Sequence, residues 1–177
     1  MDFEAFRSLC DERHSTRSFS DEPVDRATIL RLLEVATLAP SVQNTQPWRF
    51  HILLDPATKE QFLGACCYGD FVAGAGAFIV VTCDKTEKPA SGQVLWNPRE
   101  LEYSCVAAME HVLLGAAAMG LGGTWVSLHH GPPHPLLHLK DDEVVIGGMM
   151  IGVPKDKNAA SITHSRKPLE EVCIIHE

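Results

Sequence analysis

The sequence lacks several things, and each absence excludes something. No apolar run approaches the ~20 residues that a membrane span needs. The opening Met1-Asp2-Phe3-Glu4 has neither the basic nor the apolar region of a secretory signal. The expectation is therefore a cytoplasmic protein with no membrane partner. Basic charge is short: 15 Lys+Arg stand against 23 Asp+Glu, a formal net charge of −8. Phosphate-backbone recognition wants a basic field over the docking surface, so a dedicated nucleic-acid binder is disfavoured. No two of the six cysteines form a Cys-x-x-Cys pair, so neither a zinc ribbon nor a thioredoxin-type site is signalled. In a reducing compartment Cys10, Cys66, Cys67, Cys83, Cys105 and Cys173 read as thiols with structural rather than catalytic roles. Repeats and low-complexity tracts are absent as well.

What is present is the composition of one globular domain spanning 1–177, at 45% hydrophobic and 21% charged. A chain of this length can bury roughly 70% of its unfolded surface. Phe3, Phe6, Leu9 and Cys10 recur at helical spacing behind Asp2 as N-cap. Asp25 caps a second helical stripe, Ile29, Leu32, Leu33 and Ala36, which stops near Ala39-Pro40. Trp48, Phe50, Ile52 and Leu54 alternate at the strand period, Asp55-Pro56 starts another helix, and Ala77 to Cys83 suits a central strand. Lys85 to Asn97 reads as a long polar loop. Asn97-Pro98-Arg99-Glu100 resembles a capping box, and it opens an alanine-rich helix that runs to about Met119. Val144 to Gly152 is a further strand, and Pro168 to Val172 a short terminal element. Helices and strands interleave irregularly, which predicts an α+β fold.

Three polar sets break this pattern. Arg13-His14-Ser15-Thr16-Arg17 places two guanidinium groups and two hydroxyls in five residues, and arginine binds phosphate as a planar, permanently charged fork. The average charge hides this group: six of the eight arginines lie in the first fifty residues, which contain no lysine. Ala39-Pro40-Ser41-Val42-Gln43-Asn44-Thr45-Gln46-Pro47-Trp48 is a stiff polar loop that can face a heterocycle or serve as a simple helix-to-strand turn. His164-Ser165-Arg166-Lys167 is a late basic cluster in an acidic chain.

In this order, and with Gly120-Leu121-Gly122-Gly123-Thr124-Trp125, Ile151-Gly152-Val153-Pro154 and Arg166-Lys167-Pro168-Leu169-Glu170-Glu171-Val172, the sequence resembles the nitroreductase family of flavoproteins over nearly its whole length. The resemblance implies an intertwined homodimer with a central mixed sheet flanked by helices and FMN at the subunit interface. Arg13, His14, Ser15 and Arg17 would meet the FMN phosphate, ribityl chain and pyrimidine edge. Pro40, Ser41 and Asn44 would contribute from the partner subunit. Trp125, Val126 and Ser127 match the segment passing the flavin ring, and His164 and Arg166 match the return to the phosphate. His164 stands where a lysine is more usual, and a histidine near its unperturbed pKa of ~6.5 carries partial charge. Gly64 to Gly76 matches no flavin contact. The implied activity is ping-pong transfer of reducing equivalents from NADH or NADPH through FMN to a small-molecule electron acceptor, a nitroaromatic, quinone or relative. The flavin carries the hydride chemistry, so no side chain is nominated as an obligatory acid or base.

Two alternatives stay open. A flavin-binding protein with a specialised role, in storage, sensing, dehydrogenation or dehalogenation, fits the same motifs. His129, His130, His134 and His138 lie within ten residues and raise a zinc or nickel site. Three intervening prolines argue against helical alignment of those imidazoles, so no metal is expected and the stretch reads as a loop at the mouth of the site.

Overall fold

A computed structural model of the chain describes residues 2–67, 74–129, 131–156 and 165–176. Three helices begin at the three aspartates the sequence singles out. Asp2 accepts the Ala5 N–H at 2.8 Å ahead of α1 (Phe3–Glu12), and Asp25 the Thr28 N–H at 2.6 Å ahead of α2 (Arg26–Ala36). Asp55 accepts the Thr58 N–H at 2.8 Å ahead of α3 (Pro56–Gln61). Each carboxylate satisfies an amide that the first helical turn leaves unpaired. The same bonds, that to the Thr28 or Thr58 amide foremost, hold the Asp25 and Asp55 carboxyls below their ordinary value.

The centre of the molecule is a four-stranded sheet. Its strands are β1 (Trp48–Leu53), β2 (Ala77–Asp84), β3 (Gly122–Val126) and β4 (Glu143–Gly152), in the order β1-β2-β4-β3. Every strand pair described is antiparallel, where the resemblance implied a mixed sheet. The reason is topological. Helix α4 (Glu100–Ala118) carries the chain from β2 to β3 as a parallel crossover would, but β4 inserts between those two strands.

Strand β2 is buried on both faces, as its unbroken apolar run predicts. Ala77, Ile79, Val81 and Cys83 pack with the inner faces of α2 and α4, where Ile29, Leu32, Ala108, Met109, Val112 and Ala116 are buried. Phe78 and Val80 point the other way, into a second cluster with Phe62, Val126 and Met150, and the Phe62 and Phe78 rings meet edge-on at 5.9 Å. Gly120, at φ +71°, ends α4 in the left-handed turn that glycine adopts without steric cost.

Two local expectations need correction. The residues read as a capping box at 97–100 form a turn instead: Asn97 Oδ1 accepts the Arg99 N–H at 3.1 Å, and α4 starts at Glu100 without a side-chain cap. The proline-rich stretch contains a short helix, α5 (Pro133–Leu137). Proline is tolerated in a first helical turn, where its missing N–H would have no partner anyway. The last described element is α6 (Leu169–Val172).

Candidate functional site

The segment after α1 is fixed through its backbone. The Arg13 N–H closes α1 on the Leu9 carbonyl at 3.0 Å, and the Thr16 N–H then donates to the Gly123 carbonyl at 3.1 Å. Ser15 and Gly123 form a parallel bridge, and Phe19 and Pro154 an antiparallel one. The Ser20 N–H bonds Val153 at 2.8 Å, and the Lys155 N–H bonds Ser18 at 3.1 Å. The segment thus covers the free edge of β3, which would otherwise expose unpaired backbone groups. Gly122 permits the approach, because a Cβ there would lie 2.6–2.8 Å from the Thr16 side chain.

Among the described residues its side-chain hydrogen bonds are local, Arg17 Nη1 donating to the Ser15 carbonyl at 3.4 Å. Thr16 is buried, Arg13, His14 and Ser15 are half-buried, and Arg17 is exposed. His14 Nδ1 is 2.9 Å from the Glu12 carbonyl, and since a carbonyl only accepts, that nitrogen carries the proton. In the neutral ring His14 Nε2 is then an acceptor, and it is buried without a hydrogen-bond partner among the described residues, as is Thr16 Oγ1. Buried polar atoms are nearly always paired, so two unpaired ones this close together set the segment apart. Among the described residues Arg13, Arg17 and Arg166 form no ion pair. Arg49, by contrast, is held by Asp84 at 3.1 Å and Glu87 at 2.6 Å. A cavity of about 230 Å³ lies between Arg13, His14 and Thr16 and the C-terminal end of α4, at Leu113 and Ala117.

The Pro40–Pro47 loop is fixed in the opposite way. The Val42 N–H donates to Ser104 Oγ at 3.0 Å, and that hydroxyl donates to the Glu100 carbonyl at 2.7 Å. Ser41 Oγ accepts the Gln46 N–H at 3.1 Å, Thr45 Oγ1 donates to the Val42 carbonyl at 2.8 Å, and Gln46 Nε2 donates to Asn44 Oδ1 at 3.3 Å. Gln43, Asn44 and Gln46 have φ of 46°, 56° and 48°. Left-handed backbone costs a non-glycine residue roughly 1–2 kcal/mol, and such strain concentrates at functional sites. Pro40 and Asn44 are exposed.

The two motifs sit at opposite ends of α4. The loop is bonded to Ser104, and the arginine segment borders Ala117. At 1.5 Å per residue these points are about 20 Å apart. Within one chain the structure does not bring Arg13 and Asn44 together.

The third candidate segment ends β3. Trp125 is 38% exposed, with its indole beside Gly147, where a Cβ would meet Nε1 at 2.7 Å. Val126 is buried in the second core cluster, and Ser127 is exposed, its carbonyl accepting the Cys67 N–H at 2.9 Å. Arg166 is exposed, and no hydrogen bond among the described residues links it to the Arg13 segment; the His164 expectation lies outside the described residues.

Sequence reasoning missed three groupings. Cys67 Sγ lies 3.8 Å from His129 Nδ1. His51, Thr82 and Glu143 form a hydrogen-bonded cluster across β1, β2 and β4; burial pushes the Glu143 carboxyl up, but bonds from Thr82 and His51 outweigh it and hold the group low. Lys59 is buried with Nζ on the Ala75 carbonyl at 2.5 Å, and its burial lowers its pKa. All three join residues distant in sequence that no local motif connects. The cysteines differ in burial: Cys66, Cys83 and Cys105 are buried, whereas Cys67 and Cys173 are exposed.

Comparison with known proteins agrees with this architecture. A model of the Nitroreductase family matches residues 10–68, a span holding both the arginine segment and the strained loop. A protein of Archaeoglobus fulgidus, provisionally named NADH dehydrogenase/NAD(P)H nitroreductase, is 31% identical over 151 residues, covering 82% of this chain and 83% of its own. The chain belongs to the nitroreductase family. Another relative is the 5,6-dimethylbenzimidazole synthase of Rhodospirillum rubrum, 32% identical over 138 residues, covering 66% of this chain and 65% of its own. Among solved structures, a Desulfovibrio desulfuricans protein provisionally called a nitroreductase, in complex with FMN, superposes with a TM-score of 0.81. It is 25% identical and covers 97% of this chain and 96% of its own. The nitroreductase α+β fold therefore extends over the chain.

Proposed function

We propose that this nitroreductase-family chain is an FMN-dependent NAD(P)H oxidoreductase whose sites lie between two copies of the chain. The observation that carries this reading is the Arg13–Arg17 segment. It combines permanent positive charge with two buried polar atoms, His14 Nε2 and Thr16 Oγ1, and among the described residues the arginines find no ion-pair partner and those atoms no hydrogen-bond partner. That donor and acceptor set fits a phosphorylated flavin, whose phosphate is dianionic and whose ribityl chain carries hydroxyls. Bound FMN supplies the hydride chemistry.

The residues then divide the work of holding it. Arg13, Arg17 and Arg166, with His164, neutralise the phosphate without surrendering a proton from arginine. Ser15 donates a hydroxyl, and His14 Nε2 accepts one. Trp125, Val126 and Ser127 form the strand end that borders the ring. Pro40, Ser41 and Asn44 of the partner subunit complete the site, since in one chain the two motifs border points of α4, Ala117 and Ser104, that are about 20 Å apart. Exposed apolar surface supports such a dimer. A groove of about 590 Å³ between α1, α2 and α4 is lined by Phe6, Leu9, Val35 and Leu114, and Phe3, Leu38, Ile174 and Ile175 are largely exposed. The acceptor is a small nitroaromatic, quinone or relative, served in ping-pong order with NADH or NADPH at one site in a cytoplasmic enzyme.

The deciding experiment is anaerobic reduction. The purified protein is expected to be yellow, to contain FMN, and to bleach on addition of NADH or NADPH. A colourless protein that cannot be reconstituted with FMN overturns the proposal. The similarity to a 5,6-dimethylbenzimidazole synthase favours a second reading, a flavin-binding protein with a specialised reaction. FMN that binds but is reduced by neither nicotinamide would select it.

A further inference from the structure

Cys67 and His129 form a thiol–imidazole pair outside the flavin-binding residues. Sγ and Nδ1 are 3.8 Å apart, and both side chains are exposed. Their contact is set by the backbone. The Cys67 N–H donates to the Ser127 carbonyl at 2.9 Å, the His129 N–H donates to the Ala65 carbonyl at 2.8 Å, and Cys66 and Leu128 form an antiparallel bridge between them. Side chains alternate across such a rung. Cys66 and Leu128 are buried in the second core cluster, which sends Cys67 and His129 to the outer face as diagonal neighbours. The adjacent cysteines therefore have opposite chemistry. Burial, reinforced by the neighbouring Cys67, pushes the Cys66 thiol up to about 11, so it stays protonated and inert. Cys67 is open to solvent and has a proton acceptor in reach.

We propose that Cys67 is a thiol modification site, activated by His129, that takes low-molecular-weight disulfides as mixed disulfides. His129 Nδ1 accepts the thiol proton, and the Cys67 sulfur attacks one sulfur of the small disulfide. The Cys67–S–S–R bond forms, the original S–S bond breaks, and the second half leaves as a thiolate that takes up the proton. The exchange is electron-neutral overall: one disulfide is consumed and one is made. The adduct sits on the residue whose amide holds Ser127, at the end of the strand assigned to the flavin ring. The pair itself does not depend on the flavin reading.

The test uses the intact protein and oxidised glutathione, with each adduct located by peptide mass spectrometry and fragmentation. The reference is the same cysteine in the urea-unfolded chain, where no imidazole is held beside it. Cys67 is expected to acquire glutathione at least about fivefold faster in the folded protein than in the unfolded chain at neutral pH. His129→Asn and His129→Gln should each bring folded Cys67 down to the unfolded rate, and Cys67→Ser should remove the adduct from the Cys66–Cys67 peptide of the folded protein. Equal rates in the folded and the unfolded chain would overturn the proposal. So would a Cys67 rate that either His129 variant leaves unchanged. The rates are read on the chain with and without added FMN, so failure here is distinguishable from failure of the oxidoreductase reading.

Discussion

The Arg13–Arg17 segment and the Ser41–Gln46 loop are both short, polar and set against apolar structure, yet they are held in opposite ways. The arginine segment is stapled by main-chain bonds to Gly123, and the chain just beyond it to Val153, while its side chains make only short-range bonds among the described residues, His14 to the Glu12 carbonyl and Arg17 to the Ser15 carbonyl. The loop spends its side chains on itself, through Ser41, Thr45 and Gln46, and borrows Ser104 to hold three left-handed residues. The first arrangement presents charge from an unstrained backbone. The second presents a rigid edge, exposing Pro40 and Asn44 at fixed positions. A phosphate needs the former, because permanent charge in uncommitted side chains can close on it. A planar ring seated from across an interface needs the latter, because ordering a loose loop on binding would cost free energy.

Substitutions can break or sharpen this contrast. The largest effect is expected at Arg13. Arg13→Ala removes a charged donor and should weaken FMN binding by roughly 1–3 kcal/mol, read by flavin fluorescence titration. Its side chain makes no ion pair among the described residues, so the melting temperature of the flavin-free chain should barely move. The loop should respond in the reverse sense. Ser104→Ala leaves the Val42 amide without its acceptor and should cost about 1–2 kcal/mol of stability in denaturant unfolding. The smallest effect is expected at Gln43, exposed at φ 46°. Gln43→Gly relieves the left-handed strain and should raise stability by up to about 1 kcal/mol, with FMN affinity unchanged. A loop that gains nothing from glycine there is not strained, and the contrast fails.

Much of this was legible in the sequence because it is local. Asp2, Asp25 and Asp55 announce helix starts through cap chemistry, the alternation from Trp48 gives a strand though not its burial, since Leu53 is buried while Phe50 and Ile52 are half-buried, and the unbroken run from Ala77 gives a strand buried on both faces. The site motifs are equally local, since Arg13–Arg17 and Pro40–Asn44 are contiguous. What stayed hidden depends on chain return. The insertion of β4 between β2 and β3 makes the sheet antiparallel, and no window of sequence contains that fact. The Ser15–Gly123 bridge and the Cys67–His129 contact join residues more than sixty positions apart. The prolines at 132 and 133 misled differently: proline excludes helix interiors but is compatible with helix starts, and α5 begins at one.

The central claim is that one site draws Arg13 from one chain and Asn44 from the other. Co-expression of Arg13→Ala and Asn44→Ala chains, with separable tags to isolate the mixed dimer, tests it directly. A site shared between chains predicts one doubly altered site and one fully native site in each mixed dimer, so FMN binding returns at half stoichiometry with native affinity. If both residues served the same chain's site, every site in the mixed dimer would carry one substitution, and native-affinity binding would not return.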